Sequence, residues 1–113
     1  MVLESRVEGP GHVELMLLIP PDLRCLNGHF PGLPVVPGAI QLGWVLAFAA
    51  EHLGLQQVFR GLRAVKFQRL VLPRQKLRLT IQLDPGRDAI KFEYQSPAGR
   101  HSSGRIVLGA GNG

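Results

Sequence analysis

The chain has few thiols, few aromatics and few acids. Its 113 residues include one cysteine, one tryptophan and one tyrosine, with eight acidic side chains against thirteen basic. A lone Cys25 cannot close an intramolecular disulfide, which excludes a disulfide-stapled scaffold and suits a reducing compartment. Its expected role is that of a small buried hydrophobe. No basic motif is interleaved with aromatics to stack bases, so nucleic acid is not an expected partner. The longest apolar segment is interrupted by Gln41, Glu51 and His52, which excludes a membrane span. Glu4 and Glu8 near the start, and the short apolar run from Leu15 to Ile19, do not make an export signal. Neither a metal-ligand spacing nor a glycine-rich phosphate loop is present, so no metal and no cofactor are expected. The expectation is a soluble, cytoplasmic protein.

What is present is globular. Hydrophobic residues make up 45% and charged residues 19%, enough for one domain with a core. Fourteen glycines and nine prolines predict many turns and short connections between strands. The net charge is +5, and most basic residues follow position 59, which favours anionic partners or solvated strand edges.

The densest local information lies in His29-Phe30-Pro31-Gly32-Leu33-Pro34-Val35-Val36-Pro37-Gly38. Three prolines and two glycines beside one histidine exclude a helix or an inner strand there. The segment reads as a stiff loop that aims His29 and ends at a helix start. Before it, Val13, Leu15, Leu17 and Ile19 alternate as one face of a strand, which Pro20-Pro21-Asp22 stops. After it, Gly38 to about Leu53 reads as a helix apolar on nearly every face, stopped by Gly54. Such a helix is buried on most sides, which a small domain achieves by curving a sheet around it.

From Val58 onward the pattern is strand. A long basic strand runs from Phe59 to Leu72. Leu77, Leu79, Ile81 and Leu83 alternate with polar residues, as do Ile90, Phe92 and Tyr94, and Gly104 to Leu108 supplies a last strand. Turns fall at 84–88 and 96–99. The predicted architecture is α+β: a strand, a rigid loop, one buried helix and an antiparallel meander, in a single domain over 1–113. Residues 1–10 are expected as a flexible lead-in and 109–113 as a flexible tail. His12, His52 and His101 are expected at the surface.

The loop and the apolar helix behind it resemble the 3-hydroxyacyl-acyl-carrier-protein dehydratase family of the hotdog fold, the FabZ/ApeI-like dehydratases. Lys66-Phe67-x-Arg69-x-Val71-Leu72-Pro73 looks like that family's second block. Gln41-Leu42-x-Trp44 is more similar to the branch of aryl-polyene-type lipid synthesis than to housekeeping fatty-acid synthesis. The resemblance implies a sheet wrapped around one long helix, and two subunits that pair to make composite sites. It also implies that the chain removes water from a (3R)-hydroxyacyl thioester to give a 2-enoyl thioester. His29 would take the α-proton, and the backbone N–H of Gly38 would polarise the thioester carbonyl. A helix N-terminus and a base of near-neutral pKa suit that chemistry. Phe30, Pro37, Gln41, Gly43 and Trp44 are the expected substrate-binding positions.

One position departs from the family. The resemblance implies a Glu or Asp fourteen residues after the histidine, to protonate the departing hydroxyl, and position 43 is glycine. Glu51 lies about 12 Å further along the helix axis, too far to replace it. Losing a general acid costs a factor of about 10²–10⁴ in rate. Two readings follow: a dehydratase acting on acyl-carrier-protein thioesters, or a non-catalytic acyl-binding or partner subunit whose paralogue supplies the acid. The expected partners are an acidic acyl carrier protein and a second subunit, in a homodimer or a heterodimer. Candidate docking residues for the carrier are Arg60, Arg63, Lys66, Arg69, Arg74, Lys76 and Arg78. Alternation along a strand keeps them from all sharing one face.

Overall fold

The structure, a computed structural model, describes residues 1–21 and 35–109. Its elements in chain order are β1 (Val2–Val7), β2 (His12–Leu18), α1 (Gly38–Leu53), β3 (Val58–Phe67), β4 (Lys76–Leu83), β5 (Ala89–Ser96) and β6 (Gly99–Gly109). The strands form one six-stranded antiparallel sheet in the order β1-β2-β4-β5-β6-β3. The α+β expectation of one helix against one sheet holds. The simple meander does not, because β3 crosses to the far edge and pairs with β6.

The alternating pattern sets which face of each strand is inside. Val13, Leu15, Leu17, Leu77, Leu79, Ile81, Ile90 and Tyr94 are fully buried, and register places Leu15 opposite Leu79 and Leu79 opposite Tyr94. Apolar rows therefore cross β2, β4 and β5 on one face, and burying such rows is the main force holding the helix down.

The helix begins and ends where the sequence places it. Pro37 supplies an extended N-terminal residue (φ −60°, ψ 152°), and Gly54 takes the left-handed conformation at the C-terminus (φ 66°). Gln41, Val45 and Ala49, four residues apart, form its buried line. Leu42, Trp44, Leu46 and Phe48 flank that line against the core. The face opposite the core stays exposed and is made of small residues, Ala39, Gly43, Ala47 and Ala50. The expectation of burial on most sides is met within this chain on the core face and its flanks.

Three further expectations are corrected. Val2–Val7 is not a flexible lead-in but an edge strand paired with β2, although every residue of it is exposed. Its stability comes from the ladder, which composition does not reveal. Gly109, assigned to the tail, closes β6 opposite Val58, and 110–113 lie outside the described residues. The strand expected over 59–72 ends at Phe67; beyond it, the N–H groups of Gln68 and Arg69 both donate to the His101 carbonyl.

Candidate active site

The site lies where α1 begins. Extended Pro37 leads into Gly38, while the N–H groups of Ile40 and Gln41 turn back to the Pro37 carbonyl (3.0 and 3.1 Å). The Val36 N–H donates to the Val71 carbonyl at 2.8 Å, tying the entry to the helix to the segment after β3. Between these two segments opens a cleft of about 340 Å³, with Pro37, Gly38 and Gln41 on one side and Phe67, Arg69 and Leu70 on the other. It offers polar backbone at a helix N-terminus, walls that are largely apolar, and one guanidinium. That combination suits a polarised carbonyl attached to an apolar chain.

Gly38 has a steric reason to be glycine. A Cβ built there would lie 2.7 Å from Cζ of Phe67 and 2.9 Å from Cε1. The Phe67 ring thus covers the first residue of the helix, while about half of Phe67 remains exposed.

A buried polar network holds this helix end. The Gln41 side chain is 4% exposed; its Nε2 donates to the Val36 carbonyl at 3.1 Å, and its Oε1 accepts from the Ser102 hydroxyl at 2.7 Å. The Tyr94 hydroxyl donates to the Gln41 backbone carbonyl at 2.6 Å. Burial pushes the Tyr94 hydroxyl far above its ordinary pKa, so it remains a proton donor across the working range. A second buried cluster lies behind the opposite wall. His101, fully buried, has Nδ1 2.9 Å from the Leu70 carbonyl and Nε2 2.8 Å from the Ser96 hydroxyl. A carbonyl only accepts, so Nδ1 carries the proton in that pair. This corrects the surface expectation for His101: it clamps the cleft wall to β6. His52 is also partly buried, with an Nε2 that has no hydrogen-bond partner among the described residues and lies 4.0 Å from Glu51 Oε2.

The structure brings Pro37, Gly38 and Gln41 together and sets Gly43 and Trp44 apart from them. Gly43 is on the exposed face of α1, and a Cβ there would meet nothing within 4 Å among the described residues. Trp44 is half-buried against the core and does not line the cleft. His29, Phe30 and Cys25 lie outside the described residues. Among the described residues, no group of three metal-ligating side chains occurs, and no helix is long and apolar enough to cross a membrane.

With this geometry, the relatives of the chain are informative. The family model of the ApeI-like proteins, ApeI dehydratase, matches residues 5–105. The chain belongs to the ApeI-like dehydratase family. A curated relative, the 3-hydroxyacyl-[acyl-carrier-protein] dehydratase FabZ of Chloroflexus aggregans, is 40% identical over 71 residues, covering 57% of this chain and 49% of that protein. The chain therefore spans about half the length of the curated relatives it matches. Among solved structures, the dehydratase heterocomplex ApeI:P from Xenorhabdus doucetiae superposes with a TM-score of 0.85 at 29% identity, over 96% of both chains. Zebrafish thioesterase superfamily member 2 superposes at 0.64 with 15% identity over 93% of this chain and 78% of its own, a likeness of fold alone. The fold is the hotdog fold.

Proposed function

We propose that this chain is a dehydratase subunit that takes water from a (3R)-hydroxyacyl thioester carried on an acyl carrier protein and gives the 2-enoyl thioester, in lipid synthesis in the cytoplasm. The observation that carries the reading is the cleft at the N-terminus of α1, built around Gly38 in a member of this family. His29 removes the α-proton. Negative charge then develops on the thioester oxygen, where the Gly38 N–H and the helix dipole stabilise it. The β-hydroxyl leaves with one proton as water, and the C–C double bond forms between the α and β carbons. Pro37 fixes the approach to Gly38, and Gln41, held by Ser102 and Tyr94, fixes the first turn. Phe30 contributes to binding of the acyl chain.

A second reading, favoured by Gly43, concerns the origin of the proton that the hydroxyl takes. Position 43 carries no acid and is exposed on the side of α1 away from the core, where a Cβ would meet nothing within 4 Å among the described residues beyond its own helix. Its likeness to one chain of a dehydratase heterocomplex supports a paralogue as the source of the carboxylate. The surfaces suited to such a subunit are the outer edge of β3, with the exposed apolar side chains Phe59, Leu62 and Phe67, and the small-residue face of α1. The test is turnover of a 3-hydroxyacyl thioester by the purified chain, alone and mixed with dehydratase homologues from neighbouring genes. Turnover that vanishes in His29→Ala supports the dehydratase reading. Activity confined to mixtures, or gained alone by Gly43→Glu, supports the second. Thioester binding with no turnover in any combination overturns both.

A further inference from the structure

The face of the sheet opposite the helix and the cleft carries a row of like charges. Lys91 of β5 lies directly opposite Arg105 of β6, and Arg105 lies directly opposite Arg63 of β3. Their neighbours Ile90, Phe92 and Ile106 are buried, so all three cations point outward. Like charges facing each other across strands destabilise a sheet. Only Arg105 is compensated, by Asp84. Among the described residues, no ion pair forms at Arg63, Lys66 or Lys91.

A local backbone device adds a fourth cation to the same face. Residues three apart on a regular strand point to opposite sides, yet Arg63 and Lys66 oppose Arg105 and Ser103, two apart on β6. The register shift between them is a bulge in which Ala64 adopts a left-handed φ of 54°. Gly104 accommodates it; a Cβ there would lie 2.7 Å from Cγ2 and 2.8 Å from Cα of Val65. The result is a shallow depression of about 260 Å³, floored by Ala64, Ser103 and Gly104 and walled by Lys66, Lys91 and Arg105, with Glu93 on its rim neutralised by an ion pair with Arg100.

We propose that this cationic depression docks an acidic protein partner that presents a helix or turn with carboxylates on one side. Adjacent strands are about 4.8 Å apart, so the row Arg63–Arg105–Lys91 spans about 10 Å. Carboxylates three or four residues apart on a helix repeat at about 5–6 Å, which matches that row. The two cations that wall the depression without an ion pair, Lys66 and Lys91, are flexible, hydrated point charges. They suit reversible, electrostatically steered protein contact better than the planar, bidentate capture of phosphate. The surface is separate from the cleft, and the proposal is independent of the reaction assigned there.

The test uses the full chain and a labelled helical peptide with glutamates at i, i+4 and i+8, followed by fluorescence anisotropy at low and at physiological salt. Its comparison probes are the same peptide with glutamines and vesicles of phosphatidylserine and phosphatidylcholine. Lys66→Gln with Lys91→Gln is compared with Arg6→Gln and Arg87→Asn, which lower the net charge equally elsewhere. Asn suits the left-handed backbone of Arg87 (φ 61°). The expected result is glutamate-peptide binding that is salt-sensitive, at least about tenfold weaker in the Lys66/Lys91 variant, and unchanged in the control. The glutamine peptide does not bind. The thermal midpoint of the Lys66/Lys91 variant holds or rises, and Lys91→Gln alone gives an intermediate loss. Equal weakening in both double variants, no binding by the unmodified chain, or a Lys66/Lys91-dependent attachment to vesicles in place of the peptide would overturn the proposal.

Discussion

Gln41→Leu tests whether the polar network at the start of α1 holds the site together. Leucine keeps the volume but removes two buried hydrogen bonds, leaving the Val36 carbonyl and the Ser102 hydroxyl without their observed partner. A buried polar group left unpaired costs about 1–3 kcal/mol, so two cost about 2–6; burial of the leucine offsets part of this and leaves about 2–4 kcal/mol. Set against roughly 6–17 kcal/mol for a domain of this size, that is a large share. The assay is urea unfolding at fixed protein concentration, with Trp44 fluorescence as the probe. With a slope of about 1–3 kcal/mol per molar urea, the midpoint falls by roughly 1–2 M. Adding Ser102→Ala removes the orphaned hydroxyl, so the double variant recovers about 1 kcal/mol relative to the sum of the singles. A midpoint unmoved by Gln41→Leu, or strict additivity in the cycle, would refute the network.

Two further predictions concern the fold that supports the site. Tyr94 titrates near pH 10 when unfolded and well above that when folded, so its stabilisation is complete below about pH 10 and is lost as pH rises further. Tyr94→Phe costs about 1 kcal/mol at neutral pH and flattens the alkaline decline, which in the unmodified chain steepens toward about 1.4 kcal/mol per pH unit; phenolate absorbance near pH 10 with the fold intact would contradict this. Gly104→Ala forces a methyl against the Val65 backbone at 2.8 Å and destabilises by about 1–3 kcal/mol, read as a lowered urea midpoint.

Most of the fold was legible because burial imposes period. The alternation in β2, β4 and β5 placed their inner faces, and Pro37 and Gly54 bounded the helix. What failed has physical reasons. β1 has no buried residue, so no alternation marks it. His101 and Ser102 are adjacent yet both fully buried, which no strict two-residue period predicts; the register shift between Tyr94 and Gln95 makes it so. Apolar residues continue past Phe67 after pairing ends, so the sequence pattern overextends β3. For the site, the loop motif and the helix behind it point to Pro37, Gly38 and Gln41, which line one cleft. The ring of Phe67 over Gly38, and the support from Tyr94, Ser102 and His101, depend on contacts across long sequence separations that no local pattern encodes.

The central claim is that a helix N-terminus at Gly38 and the base His29 form the proton-abstracting half of a dehydratase site. Its most direct test is the rate of 2-enoyl thioester formation from a (3R)-hydroxyacyl carrier-protein thioester, measured with the unmodified chain and with His29→Ala, each supplied with a carboxylate-bearing dehydratase homologue. The account predicts enoyl product with the unmodified chain and a loss of about 10²-fold or more with His29→Ala, at unchanged thermal midpoint. Equal rates for the two chains, or no enoyl product from either while the thioester still binds, would contradict it.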